Sequence, residues 1–187
     1  MASDVEARSS ELTRLKTGMA MFIVSEVFLF GALFFTYYYL RGTTTGWPPE
    51  HPSASRAIAN TVVLLSSSLT IWLAGRSIRL GNVKALTGWL VVTAALGLTF
   101  LGITGWEWGS ESFKPWTNAY GSIFFTLTGF HALHVLGGVL MLTGLTLRSA
   151  RGRFSAVNRH AIEVGSIYWH YVDIIWILVF TTIFIVR

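Results

Sequence analysis

The chain is predicted to be an all-α, polytopic membrane bundle of five transmembrane helices, and three observations carry that expectation. Apolar residues fill 52% of the 187 positions and charged residues only 12%, about half the usual charged share of a soluble domain. The few charges avoid five long stretches, and turn-forming or charged segments separate those stretches. A hydrocarbon core of about 30 Å needs about 20 mostly apolar helical residues, and each stretch is long enough. Helix is the form such spans take, because unpaired backbone groups in lipid are costly.

The first span, about 17–40, contains a single charge, Glu26. The second, about 57–78, is free of charge as far as Gly75, and the third, about 85–106, contains none. The fourth, about 120–147, carries only His131 and His134 among ionisable groups. The fifth, about 163–186, opens on Glu163 and carries His170 and Asp173 inside it. Residues 42–53 (GTTTGWPPEHPS) and 148–160 (RSARGRFSAVNRH) read as connecting segments. Residues 1–16 mix acids and bases too freely for a targeting leader. They are expected to form a cytoplasmic N-terminal tail before one transmembrane domain at 17–187.

Orientation follows from the cations. Ten of the fourteen Lys and Arg residues fall in the N-terminal tail and in the second and fourth connections, which share one side. The positive-inside rule then places the N-terminus in the cytoplasm and the C-terminus outside, on the periplasmic side. Trp47, Trp106, Trp108 and Trp116 gather on the opposite, outer side, as an interfacial belt would.

Composition also excludes several classes. The net charge of +5 comes from cations spaced singly between apolar blocks, so no nucleic-acid surface is expected. With no Cys at all, disulfides, iron–sulfur clusters, thiolate zinc sites and Cys-bridged copper are impossible. Ser66, Ser67 and Ser68, and Gly129, Gly137, Gly138 and Gly144, suit close helix packing.

Ionisable side chains inside a membrane need partners or a function. At ~1.5 Å per residue, Glu26, His131 and Asp173 each lie roughly 15 Å deep, near mid-membrane. His131 and His134 are three apart, as are His170 and Asp173, so each pair shares a helix face. These faces are expected to meet in one polar cluster, with the carboxyls bonded to imidazoles. Three readings of it stay open: a satisfied structural network, a metal or haem site, and a proton relay. Glu26 is the candidate for a proton-related role, since the charged form of a carboxyl is the costly one in lipid. Arg148, at the cytoplasmic end of the fourth span, suits either a lipid phosphate or a snorkelling anchor.

The stretches SEVFLFGALFF (25–35), GFHALHVLGG (129–138) and YWHYVDIIWILVF (168–180) resemble cytochrome c oxidase subunit III, with Glu163 and Arg148 at matching offsets. The likeness runs from Gly18 onward and is to the short five-helix bacterial form. It implies an accessory core subunit of a haem–copper terminal oxidase, a respiratory complex that reduces oxygen and moves protons. The chain would sit in the bacterial inner membrane as a non-catalytic subunit. It would pack on subunit I, with subunit II in the same complex and further respiratory subunits as possible neighbours. It would bind phospholipid while haem and copper stay on the partner subunits, with no metal and no catalytic residue of its own. By the resemblance Glu26 matches a carbodiimide-reactive carboxylate and Arg148 a lipid-headgroup ligand. His131, His134, Glu163, His170 and Asp173 match positions of mainly structural role. Related subunits of quinol oxidases and nitric-oxide reductases, and an independent small proton channel or transporter, are the alternatives.

Overall fold

A computed structural model of the chain describes residues 2–49 and 52–186, with side chains described from residue 10 onward among these. Every regular element in it is helical: α1 (Ala2–Thr43), α2 (Ala54–Arg79), α3 (Val83–Ser110), α4 (Ala119–Ala150) and α5 (His160–Phe180). A π-helical turn, Thr181–Val186, continues α5. All five helices are long and apolar enough to cross a membrane. They overrun the apolar windows at most ends, because hydropathy marks the lipid-facing part of a helix and not where its backbone stops. The N-terminal tail is therefore not a separate loop: it continues the first span as helix.

The helix starts and stops have local causes. Asn82 and Asn118 cap α3 and α4, accepting from the backbone N–H of Ala85 and Gly121 at 3.0 and 2.7 Å. Gly81 and Gly152 take positive φ just past the ends of α2 and α4, the left-handed conformation that a helix C-terminus favours. The three-residue turn at Leu80–Asn82 makes α2 and α3 an antiparallel hairpin, the most extensive helix pairing in the molecule. α5 packs against α1, α2 and α4, and α3 against α2 and α4.

The centre is built around Trp169, which is fully buried. Its ring fills the space above two glycines. A Cβ at Gly97 of α3 would meet it at 2.7 Å, and one at Gly138 of α4 at 2.6 Å. Its indole N–H donates to Ser67 Oγ of α2 at 2.8 Å. One side chain thus joins four helices. The expectation of close packing holds for Gly138 and for Gly137, beside the Tyr168 hydroxyl, and for Ser67 and Ser68. It fails for Gly144, where a Cβ meets nothing within 4 Å, and for Ser66, which bonds back to Val62 O on its own helix.

α1 is different. Of its most apolar eighteen residues only 6% are buried, against 50% for α5, so Met21, Val24, Phe28 and Phe35 face outward. At the end where α1 finishes, Tyr37, Trp47 and Tyr120 stack edge-on in sequence, with centroids 5.4 and 5.1 Å apart. Trp106 and Trp116 are exposed there, as belt residues would be, whereas Trp47 and Trp108 pack against the core.

Gly138→Val should destabilise the bundle by about 1–3 kcal/mol through overpacking against Trp169. Gly144→Ala should change little. Thermal unfolding in mild detergent, followed by loss of the monodisperse elution peak, would separate the two.

Candidate functional site

The ionisable side chains do not meet in the single cluster expected of them. They occupy separate stations, because residues three apart on a helix point about 60° from one another. That angle is enough to send His131 into the core and His134 towards α1.

At the first station, His134 Nε2 lies 2.9 Å from Glu26 Oε2, joining α4 to α1. The other ring nitrogen, Nδ1, lies 2.7 Å from Phe130 O. A carbonyl only accepts, so Nδ1 carries the proton and donates. The bond to Glu26 then contains one further proton, held either as a carboxylic acid donating to imidazole or as a carboxylate facing imidazolium. Tyr168 completes the station by donating to His134 O at 2.9 Å. The pair lines a groove with Phe22, Leu29 and Leu133, both side chains partly exposed.

Ser68 makes the second station. Its hydroxyl donates to Asp173 Oδ2 and lies 3.1 Å from His170 Nδ1. With the hydroxyl proton directed at Asp173, His170 Nδ1 is the donor to Ser68 Oγ. Asp173 is 3% exposed, and its Oδ1 has no hydrogen-bond partner among the described residues. Here the expected pairing on one face of α5 does occur, and a serine from α2 connects the two.

His131 stands alone. It is fully buried, with the Phe100 ring 5.6 Å away edge-on and the Trp176 ring 4.9 Å away. Neither ring nitrogen has a hydrogen-bond partner among the described residues. Close by, Asn60 donates to Thr104 Oγ1 at 3.0 Å and Trp176 to Thr61 Oγ1 at 2.9 Å. Among the described residues no three His, Cys, Asp or Glu side chains gather as a metal-binding group. His131, His134 and His170 point to three different places and do not converge on a common point.

Glu163 belongs to the basic end of the bundle. It accepts from Arg159 Nε at 2.8 Å and lies 3.5 Å from Lys16 Nζ, tying α5 to α1. Arg148 is exposed, and its guanidinium lies 5.3 Å from the centroid of the Phe154 ring. Stacking fixes one face of the guanidinium and leaves its donor edges available.

Sequence reasoning missed Tyr168, Asn60, Lys16 and Arg159 as partners in these stations, and it took Ser68 for a packing residue and not for the link between His170 and Asp173. A polar Asn60 inside an uncharged span was a visible signal. The partners of Ser68 and Lys16 depend on helix–helix geometry that periodicity does not encode.

Comparison with known proteins follows the same lines. The family model described as cytochrome c oxidase subunit III matches residues 8–186. Cytochrome c oxidase subunit 3 of Thermostichus vulcanus is 37% identical, covering 90% of this chain and 85% of its own. The probable cytochrome c oxidase subunit 3 of Nocardia farcinica is 35% identical, covering 92% and 88%. The dugong protein, cytochrome c oxidase subunit 3, is 36% identical over 91% of this chain and 69% of its own.

Ser68→Ala would strip the partner from both His170 and Asp173 and should cost about 1–3 kcal/mol. Ser66→Ala, two residues away and bonded only to its own helix, should be near neutral. Paired thermal-shift measurements on the two variants would check the difference.

Proposed function

The chain belongs to the cytochrome c oxidase subunit III family, and on that premise we propose that it is the accessory membrane subunit of a haem–copper terminal oxidase. In this reading it packs against the chain that holds haem and copper, subunit I, with subunit II in the same complex, and carries no redox centre itself. Its place is the bacterial cell membrane, N-terminus inside. The observation that best supports a scaffolding role is the use of the rare ionisable groups. Glu26 with His134, Asp173 with His170, and Glu163 with Arg159 and Lys16 are committed to bonds that join or brace helices. A channel or enzyme built on this bundle would bring such groups to one place.

Two residues have roles beyond bracing. Glu26 is the proton-related carboxylate, since it shares a proton with His134 beside a groove open to the membrane. Arg148 holds a lipid phosphate, its guanidinium already oriented by Phe154. His131, His134, Glu163, His170 and Asp173 serve the structure.

Purification through a C-terminal tag in mild detergent should bring down a haem-bearing complex, read by its optical spectrum and subunit gel. A colourless, monomeric chain that conducts protons after reconstitution would overturn the proposal. Dicyclohexylcarbodiimide should modify Glu26, as mapped by peptide mass spectrometry, and Glu26→Gln should abolish that label.

A further inference from the structure

The fully buried imidazole of His131 has two nitrogens to which the described residues bring no hydrogen bond. A neutral imidazole has one donor and one acceptor, and burial without partners is costly for both. The helices around it carry further polar groups on matching faces. On α4, Phe124, Thr128 and His131 fall at i, i+4 and i+7 and so share one face. On α3, Phe100, Thr104 and Glu107 repeat that spacing, with Glu111 just past the helix end.

An enclosed pocket lies where the two faces meet. Thr104, Thr128, Phe124 and Trp176 wall it, with Glu107 and Glu111 on the side nearer the end of α3. The space open to a water centre there is about 10 Å³, close to the ~10–15 Å³ that one buried water needs. Trp176 is also the ring that lies 4.9 Å from the His131 ring. Along α4, Thr128 and His131 are separated by roughly 4.5 Å, three residues at ~1.5 Å each. One water bonded at ~2.8 Å to each side chain spans that gap.

The two hydroxyls have complementary capacity left. Thr87, Thr93 and Thr99 of α3 each donate to the carbonyl four residues back. Thr104 does not. Asn60 Nδ2 takes that carbonyl, Phe100 O, at 3.4 Å and also donates to Thr104 Oγ1 at 3.0 Å. The Thr104 hydroxyl proton is thus without an acceptor among the described residues. Thr128 donates to Phe124 O at 2.7 Å, which leaves its oxygen able to accept. The pocket therefore presents one donor and one acceptor beside an imidazole that offers one of each. Water both accepts and donates, and a buried water makes about three such bonds.

We propose that this pocket binds one structural water, which accepts from the Thr104 hydroxyl and donates to Thr128 Oγ1 and to the unprotonated nitrogen of His131. The bridge fixes the ring orientation and tautomer of a histidine that aromatic contacts alone do not fix. It also joins α3 to α4 at a height far from their direct side-chain bond, Thr87 with Ser149, which lies at the other end of both helices. Glu107 and Glu111, both half-buried, give the water a polar route in from the membrane surface.

The site is built from this chain alone, so the isotope-labelled full-length chain in bilayers is enough to test it. Solid-state NMR would measure magnetisation transfer from water to each histidine ring, with His160 at the start of α5 as the hydrated reference. Transfer should reach His131 in the unmodified chain and be lost in the Thr104→Val, Thr128→Val double variant. It should persist in Thr104→Ser, which keeps the hydroxyl, and in Thr99→Val, whose hydroxyl bonds only its own helix. Should the double variant fail to fold, either single valine variant should weaken the transfer. A His131 ring that receives none in the unmodified chain would overturn the proposal. So would transfer that the valine variants leave undiminished.

Discussion

The wedge of Trp169 into the glycine faces of α3 and α4 is the contact on which the remaining architecture depends. Lipid is as apolar as a leucine side chain, so no hydrophobic force drives helices together inside a membrane. Association then rests on close packing and hydrogen bonding, and Trp169 provides both. Gly97 and Gly138 let two backbones approach its ring, while Ser67 takes its N–H. Around that point the other close approaches fall into place: Gly165 against Leu145 and Met141, Thr70 against Thr93, Asn60 against Thr104. Had Gly97 carried a side chain, α3 would stand off and the α2–α3 hairpin would have to dock elsewhere.

Polar groups in this bundle obey the same economy. A carboxyl or imidazole among lipid tails must find a partner on another helix, since water is absent. Glu26, His134, His170 and Asp173 do this in pairs or with a hydroxyl between them. His131 is the exception: two rings lie against it, and neither of its nitrogens has a hydrogen-bond partner among the described residues. The two rings that face it are themselves tied to polar groups, Asn60 donating to Phe100 O and to Thr104 Oγ1, and Trp176 donating to Thr61 Oγ1.

The five helices were legible because lipid imposes one length and one composition on every span. Their ends were less so: α1 extends through the charged tail and α3 runs to Ser110, since interfacial turns tolerate charge without breaking the backbone ladder. The site residues were legible as types and depths. What the sequence could not supply was the azimuth of each helix. A shared face on α4 suggested that His131 and His134 act together. In the packed bundle α4 has neighbours on several sides, and 60° divides a core position from a groove position. On α5 the same spacing kept His170 and Asp173 together, because one serine of α2 happens to face both.

α1 shows how these constraints combine. It buries little of its surface, so packing alone holds it weakly. Its described attachments occur at three heights, separated by roughly 15 Å at ~1.5 Å per residue: Lys16 to Glu163, Glu26 to His134, and Tyr37 through Trp47 to Tyr120. The middle attachment needs a proton. With one proton between the carboxyl and the imidazole, the contact holds whichever atom carries it, as a neutral hydrogen bond or as an ion pair. With none, a carboxylate would face a lone pair, and the contact would turn repulsive. The mid-height grip of the bundle on α1 therefore rests on one hydrogen bond, between Glu26 and His134, that needs a proton between its two partners.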